Sequence, residues 1–263
     1  ADIGQQLFAR GPRGSALTAS GREFFKHVEE ILGRLPVARE AARRAGTGAG
    51  GHLVLGVTGS SVFDIVPSLV RQAQQALPDV GLRLIEMLTD KQIDALHDRR
   101  IDAAIGRPLE GEPGLTSRVI AQRSIVIAIH VTHPLARRPE IGLADLDGQP
   151  LITPQQRIGP GFHAQLMTML AKAKLPLQIT HEAMHMPIVP GLVAAGLGVG
   201  IVSDELRHLE VRDVVYRPLR EGRDAVRLAI SWRQDNDSAA LRQLVALPIA
   251  PPDPAPHGAS RVH

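Results

Sequence analysis

Three short polar segments of this chain each follow an apolar stretch and could together hold a small anion. Gly59-Ser60-Ser61 comes after the first predicted strand, Thr89 after the second and Arg107 after the third. The carboxyl ends of parallel strands meet at one edge of a sheet, where helices begin with unpaired N–H groups. Hydroxyl groups and a guanidinium at that edge would make a receptor for a small carboxylate. In the alternative interpretation, Ser60 and Thr89 are ordinary helix caps and Arg107 is a surface charge.

A second pattern, His181-Glu182-Ala183-Met184-His185, has the spacing of a zinc site. On a helix, two histidines four residues apart share one face and can bind zinc, with the glutamate as base. Asp204 or Glu205 could supply a third ligand. However, Leu177 to Thr180 is predicted as a strand, and Pro187 favours a helix start just after the second histidine. Helical spacing is therefore not expected, and zinc hydrolysis is the minor alternative.

The glycine-rich segment Gly191 to Gly200 is similar in composition to a dinucleotide-binding loop. Such a loop needs a strand first and a helix second. Here the predicted helix Pro187 to Ala195 precedes the predicted strand Val199 to Val202. We therefore interpret the segment as a helix end at Gly196 and a tight turn into a buried strand.

The composition excludes several classes of function. Without cysteine the chain can form no disulfide, thiol nucleophile, Fe–S cluster or thiolate zinc site, and the cytoplasm is the expected compartment. Residues 1–50 carry eight Lys and Arg against five Asp and Glu, and the remainder carries 22 of each, so the net charge of +3 is local. Aromatic residues, at 3%, are too few for a base-stacking platform. No apolar run approaches the roughly 20 residues that span a membrane.

A long helix is predicted near the amino terminus, with Thr18 or Ser20 as its cap and the glycine-rich residues 46–51 after it. Pro36 lies inside this helix and should kink or divide it. Apolar residues at heptad spacing favour packing against a partner helix, the alternative being packing on the helix's own domain. They are Phe24, Val28, Ile31, Leu35, Ala38 and Ala42.

From residue 51 onward, strand and helix patterns alternate, which predicts an α/β fold with two lobes and a cleft between them. The first part has the order βαβαβ, typical of a parallel sheet covered by helices. The predicted strands are Leu53 to Val57, Leu82 to Glu86, Ile101 to Ile105, Ser124 to His130, Leu151-Ile152, Leu177 to Thr180, Val199 to Val202, Val214 to Tyr216 and Val226 to Ser231. The predicted helices are Ile65 to Leu77, Lys91 to Asp98, Gly161 to Lys174, Pro187 to Ala195, one that opens at Ser203-Asp204-Glu205, and Ser238 to Leu247.

Two short motifs lie near the amino terminus: Leu7-Phe8-Ala9-Arg10 matches the pattern LF-x-R, and Leu17-Thr18-Ala19-Ser20-Gly21 matches LT-x-x-G. Together they resemble the wing and linker helix of LysR-type transcriptional regulators. Ile101 to Arg107, His133-Pro134-Leu135 and Gly191 to Gly200 resemble the effector-binding domain of that family. The resemblance implies the two-lobed fold of type 2 periplasmic binding proteins, a dimer or homotetramer, and no enzymatic activity or cofactor.

Within that family the chain looks most like the regulators of benzoate and catechol degradation, which respond to muconate or related aromatic acids. The resemblance places Ser60, Thr89 and Arg107 in the ligand pocket. It adds the backbone of Gly161-Phe162 and the side chain of Met186 from the second lobe. For Phe162 and Met186, simple core packing is the alternative. The complete set of predicted ligand-binding residues is Ser60, Ser61, Thr89, Arg107, Gly161, Phe162 and Met186.

The resemblance also implies a division of the chain. The predicted parts are a wing remnant (1–17), a linker and dimerisation helix (18–46), lobe I (51–123 and 224–247), lobe II (124–223) and a disordered tail (248–263). The helix-turn-helix expected before Leu7 is missing, so this chain alone should bind operator DNA poorly. Pro36 and the His-rich stretch Thr180 to Met186 also depart from the family pattern.

We therefore predict the effector-sensing and oligomerising part of a LysR-type regulator that responds to a small carboxylate such as muconate or benzoate. Operator DNA would be bound only through the missing domain, and no membrane partner is expected. A solute-binding protein of the same fold is the alternative. A zinc hydrolase that uses His181 and His185 is a remote alternative.

Overall fold

The computed structural model describes residues 3–11, 14–47, 51–155, 160–173 and 178–249. The strands are β1 (Phe8–Gly11), β2 (Gly14–Leu17), β3 (His52–Val57), β4 (Gly81–Glu86), β5 (Ala103–Gly106), β6 (Leu115–Arg123), β7 (Ile125–His130), β8 (Pro150–Pro154), β9 (Gln178–Ala183), β10 (Val199–Ser203), β11 (Val214–Pro218) and β12 (Val226–Arg233). The α-helices are α1 (Ala19–Thr47), α2 (Ile65–Ala76), α3 (Thr89–His97), α4 (Pro160–Ala173), α5 (Val189–Ala194) and α6 (Ala239–Ala246).

The amino-terminal part is a hairpin followed by the long helix α1. Strands β1 and β2 pair antiparallel, and the Thr18 hydroxyl then caps α1 by accepting a hydrogen bond from the Gly21 N–H at 2.9 Å. The helix continues through Pro36 to Thr47, so the proline does not divide it, and the kink expected as the alternative stays a prediction. A proline removes one N–H donor, and a 29-residue helix keeps its other hydrogen bonds on both sides.

The predicted heptad face of α1 is mostly exposed where the structure describes it, and Val28 on this face is half-buried. Phe24, Ile31 and Leu35 are all exposed. The alternative in which this face packs on the helix's own domain is therefore wrong for these residues. The side chains of Ala38 and Ala42 lie outside the described residues.

The first of the two large sheets has the strand order β4-β3-β5-β12-β6. Strand β3 pairs parallel with β4 and β5, which confirms the predicted βαβαβ start, and β12 is inserted antiparallel between β5 and β6. Leu55, Ile105 and Ile230 from this sheet pack with Leu69 of α2 and Leu241 of α6. Their burial fixes the sheet between helices, with the loops at its strand ends free to bind a ligand.

Strand β6 is not predicted from the sequence, and the reason is its position. Residues Leu115–Arg123 form an edge strand of the first sheet. Five of its nine residues are Thr, Ser, Gln or Arg around the buried Ile120 and Ala121. An edge strand with one solvent-exposed side needs few apolar residues, so its hydrophobic pattern is weak.

The helix predicted to open at Ser203-Asp204-Glu205 is instead a short 3-10 turn, Asp204–His208.

The second large sheet has the strand order β11-β7-β10-β8-β9. Strand β8 pairs parallel with β9 and β10, and β7 pairs antiparallel with β10 and β11. Phe162 and Leu166 of α4 pack on one face of the sheet with Ile127 and Ile201. The chain enters this sheet between Arg123 and Ile125 and leaves it between Pro218 and Val226.

The glycine-rich segment follows helix α5 and precedes strand β10, as predicted, so it is not a dinucleotide-binding loop. Gly196, at φ +78°, turns the chain at the end of the helix. Gly198 has φ +147°, and a Cβ there would lie 2.2 Å from the carbonyl oxygen of Pro150. Glycine at this position thus allows two backbone segments to approach closely.

The ends of the chain are described only in part. Ile249 packs into the first core, so the predicted disordered tail does not begin at residue 248; an apolar side chain at this point gains by burial. The rest of the predicted tail, 250–263, lies outside the described residues. Within the described ranges, no helix is both long and apolar enough to cross a membrane.

Candidate functional site

A pocket of about 60 Å³ lies between the two sheets. At roughly 30 Å³ of liquid volume per water molecule, it has room for about two waters. Its walls follow the carboxyl ends of parallel strands β3, β4, β5, β8 and β9, where open α/β sheets bind ligands. The lining residues are Thr58, Gly59, Ser60, Leu88, Thr89 and Arg107 from the first side and Pro154, Phe162, Met184, His185, Met186 and Pro187 from the second.

Five of the seven predicted residues line this pocket: Ser60, Thr89, Arg107, Phe162 and Met186. Ser61 does not. Its hydroxyl is buried and donates a hydrogen bond to the Thr58 carbonyl at 2.7 Å, so it closes the turn and is not offered to a ligand. Gly161 lies in the first turn of α4 and is not among the lining residues that the structure describes.

The hydroxyls of Ser60 and Thr89 are not helix caps. Ser60 precedes the 3-10 turn Ser61–Phe63 without a capping hydrogen bond from its side chain. Thr89 is the first residue of α3, and Leu88 stands at the cap position. Both side chains are buried, and neither has a hydrogen-bond partner among the described residues. The capping alternative is therefore wrong, and both hydroxyls retain their hydrogen-bonding capacity.

Arg107 is a buried cation rather than a surface charge. The residue is 9% exposed, and its guanidinium carbon lies 5.7 Å from the centroid of the Phe162 ring, at cation–π distance. It donates no hydrogen bond to any described residue, and its Nη1 is fully buried. Burial lowers the pKa of Arg107, and the nearby Glu205 carboxylate only partly opposes this. A guanidinium still remains charged at neutral pH.

Glu205 is the partner of Arg107 from the second sheet. Its Oε1 lies 3.8 Å from Nη2 of Arg107, and both of its carboxylate oxygens are buried without a hydrogen bond to a described residue. Glu205 was predicted only as a possible zinc ligand. The sequence gives little indication that Glu205 pairs with an arginine, because an acidic residue after a strand is typical of a helix start.

Phe162 and Met186 have two roles at once. Phe162 is buried in the core of the second sheet and also lines the pocket. Met186 packs against two core clusters, and its sulfur accepts a hydrogen bond from the Ser203 N–H at 3.4 Å. The packing alternative and the pocket interpretation are thus compatible for both residues. Core packing holds these side chains in place at the wall of the pocket.

A second ionic cluster lies where the chain passes between the sheets. Arg123 binds Asp64 at 2.5 Å and lies 3.9 Å from Asp204. Burial lowers the pKa of Arg123, but its hydrogen bond and ion pair with Asp64 outweigh this and raise the pKa overall. Burial raises the pKa of Asp204, against the opposing charge of Arg123. The cluster joins the turn before α2 to the turn after β10 and so links the two sheets.

The geometry that a zinc enzyme requires is not found in the described residues. His181 and Glu182 belong to strand β9, and His185 lies beyond the end of that strand. The two histidines therefore do not share a helix face. In the ranges that the structure describes, no group of three His, Cys, Asp or Glu could hold a metal ion.

Two five-stranded sheets, with a small pocket between their strand ends, define a two-lobed α/β ligand-binding domain. The family model described as "LysR substrate binding domain" matches residues 46–247. The chain belongs to this family, the LysR-type transcriptional regulators, and these residues are its effector-binding domain.

Relatives and solved structures agree with this assignment. The probable cat1 operon transcriptional activator of Acinetobacter lwoffii is 29% identical over 239 residues, which cover 90% of this chain and 78% of the relative. The effector-binding domain of BenM with its effector benzoate has a TM-score of 0.65 at 27% identity, covering 74% of this chain and 88% of that one. The regulator CbnR shares the fold, with a TM-score of 0.75 at 22% identity over 87% of this chain and 79% of that one.

Proposed function

We propose that the pocket between the sheets binds a small organic carboxylate and that this ligand is the regulator's effector. The observation that carries the proposal is Arg107, a buried guanidinium that lines the pocket and donates no hydrogen bond to a described residue. Leaving a buried polar donor unpaired costs about 1–3 kcal/mol, more when it is charged. A ligand carboxylate would recover that free energy by accepting charge-assisted hydrogen bonds.

The hydroxyls of Ser60 and Thr89 complete the anion-binding side of the pocket. Both are buried, belong to the same sheet as Arg107 and have no partner among the described residues. Phe162, Met186 and Pro154 supply an apolar wall from the second sheet. This division suits a ligand with a charged end and a flat hydrocarbon body. Benzoate and cis,cis-muconate carry such groups. The similarity to the BenM effector-binding domain with its effector benzoate supports benzoate as a candidate. Muconate is a candidate from the sequence resemblance alone.

The same geometry suggests how the ligand would act on the protein. Arg107 belongs to the first sheet and Glu205 to the second, so their attraction favours one arrangement of the sheets. A carboxylate bound to Arg107 competes with Glu205 for the same guanidinium. The ligand then shifts the equilibrium by its different affinity for the two arrangements. We infer that this shift is the signal passed to the rest of the regulator.

We further propose that α1 joins the chain to a second copy. Its exposed Phe24, Ile31 and Leu35 have the spacing of a helix–helix contact. A dimer or tetramer is the assembly expected for a regulator that contacts operator DNA. Sedimentation of the full chain would show a dimer or larger, and a monomer at all concentrations would contradict this part of the proposal.

Calorimetric titration of the full chain tests the proposed ligand class. Benzoate and cis,cis-muconate serve as probes, and benzamide, which has the shape of benzoate without its charge, serves as the matched control. We expect at least one carboxylate to bind and benzamide to bind much more weakly. Equal affinity for benzoate and benzamide, or no binding of either carboxylate, would contradict the proposal.

A further inference from the structure

Residue His185 lines the same pocket as Arg107 but lies on the opposite side, in the segment that follows strand β9 of the second sheet. On this basis, and resting on the carboxylate-binding function proposed above, we propose that His185 binds a second carboxylate of the effector. Glu86 acts as a positioning residue that holds the imidazole across the cleft. The pocket is then selective for dicarboxylates over monocarboxylates.

The two residues meet across the mouth of the pocket. Glu86 is the last residue of β4 in the first sheet, and His185 follows β9 of the second. Nδ1 of His185 lies 3.7 Å from Oε1 of Glu86. Gly59 leaves room for this contact, since a Cβ there would lie 2.6 Å from the same oxygen of Glu86.

The pair is too exposed to be a stabilising element. The side chain of His185 is 41% exposed and that of Glu86 is 59% exposed. Exposed ion pairs of this kind contribute little to folding, because water screens them. The role proposed for Glu86 is therefore to orient the imidazole by its nearby charge, and not to stabilise the fold. With Nδ1 beside Glu86, the other ring nitrogen, Nε2, is the one left for a ligand.

The chemistry of the pocket matches a molecule with two anionic ends. Of the described residues that line it, only Arg107 and His185 can carry positive charge, and they come from opposite sheets. The other lining side chains are hydroxyls or apolar groups. An imidazolium Nε2–H donates a charge-assisted hydrogen bond to a carboxylate, as Arg107 does from the other sheet. A dicarboxylate would engage both sheets, whereas a monocarboxylate engages Arg107 alone.

The test compares cis,cis-muconate with benzoate on the full chain by calorimetry, for wild type, His185→Ala, His185→Gln and Glu86→Gln. His185→Ala should weaken muconate binding by roughly 10-fold or more, the effect of losing one charge-assisted hydrogen bond, and change benzoate binding less than about twofold. His185→Gln keeps an N–H donor and should restore part of the muconate affinity. Glu86→Gln should weaken muconate binding less, and have no further effect once His185 is Ala.

Equal losses for the two probes in His185→Ala would show that His185 is only part of the pocket wall and would overturn the inference. So would wild-type protein that binds benzoate but not muconate. If neither probe binds to wild type, the carboxylate-binding function itself fails and the inference fails with it. Thermal melting of each variant shows whether it folds; at a half-exposed position we expect little change in the melting temperature.

Discussion

Arg107 and Glu205 face each other at 3.8 Å across the two sheets, both buried, and neither forms a hydrogen bond with a described residue. A buried pair without hydrogen bonds offsets its desolvation poorly. The contact is thus weak enough for a ligand to replace. In the proposed function, ligand binding and the relative position of the sheets are coupled through the Arg107 guanidinium.

Replacing Arg107 with Ala should weaken binding of whichever carboxylate the wild type binds by about 10- to 150-fold, or 1.5–3 kcal/mol, as expected for a charge-assisted hydrogen bond. Calorimetric titration with benzoate and muconate measures this loss of affinity. The matched control is Arg227→Ala, which removes an exposed arginine paired with Glu110 on the outer part of the first sheet. Unchanged affinity in Arg107→Ala would show that the carboxylate is held elsewhere.

Replacing Glu205 with Gln should have two opposite effects. The apo protein should become less stable, because the buried charge of Arg107 loses its counterion. The carboxylate ligand should bind more tightly, because it no longer competes with a protein carboxylate. Melting curves with and without benzoate report both effects together. A variant that is destabilised but binds no more tightly would mean that Glu205 does not oppose the ligand.

Two glycines of the same segment should respond differently to substitution with Ala. Gly198→Ala should destabilise the protein by about 1–3 kcal/mol or more, because of its positive φ and the Pro150 carbonyl 2.2 Å from the new Cβ. Gly191→Ala places the Cβ in open space within α5 and should be neutral or stabilising by up to about 1 kcal/mol. Urea unfolding of the two variants measures the change in the free energy of unfolding that each substitution causes. Similar midpoints would contradict this description of the turn.

The single tyrosine of the chain allows a direct test of burial in the second sheet. Burial raises the pKa of Tyr216 from its ordinary 10.0 to about 12. The native state thus holds the phenolic proton where the unfolded state loses it. The stabilisation is complete below pH 10 and is lost as the pH rises through about 12.

Phenolate absorbance after a rapid pH jump, read before unfolding, should show a native midpoint well above that of the chain in denaturant. Coincident midpoints would mean that the Tyr216 ring is solvated.

The site depends on the local sequence pattern, which marks the residues that follow strands, and on the packing of the two sheets, which the local pattern does not show. Ser60, Thr89 and Arg107 could be predicted because each follows a strand, and topology brings the ends of parallel strands together. Phe162 and Met186 came from family resemblance alone. The contacts of Glu205 with Arg107 and of His185 with Glu86 join different sheets. Their existence depends on how the sheets pack, which no local pattern encodes.

Strand β12 lies inside the first sheet although it is the last strand of the described chain. All strands of the second sheet precede it. During synthesis on the ribosome, the second sheet can therefore be completed while the first still lacks an interior strand. The inner edges of β5 and β6 remain unpaired until residues 226–233 emerge, and unpaired strand edges of this kind can pair with other chains and aggregate.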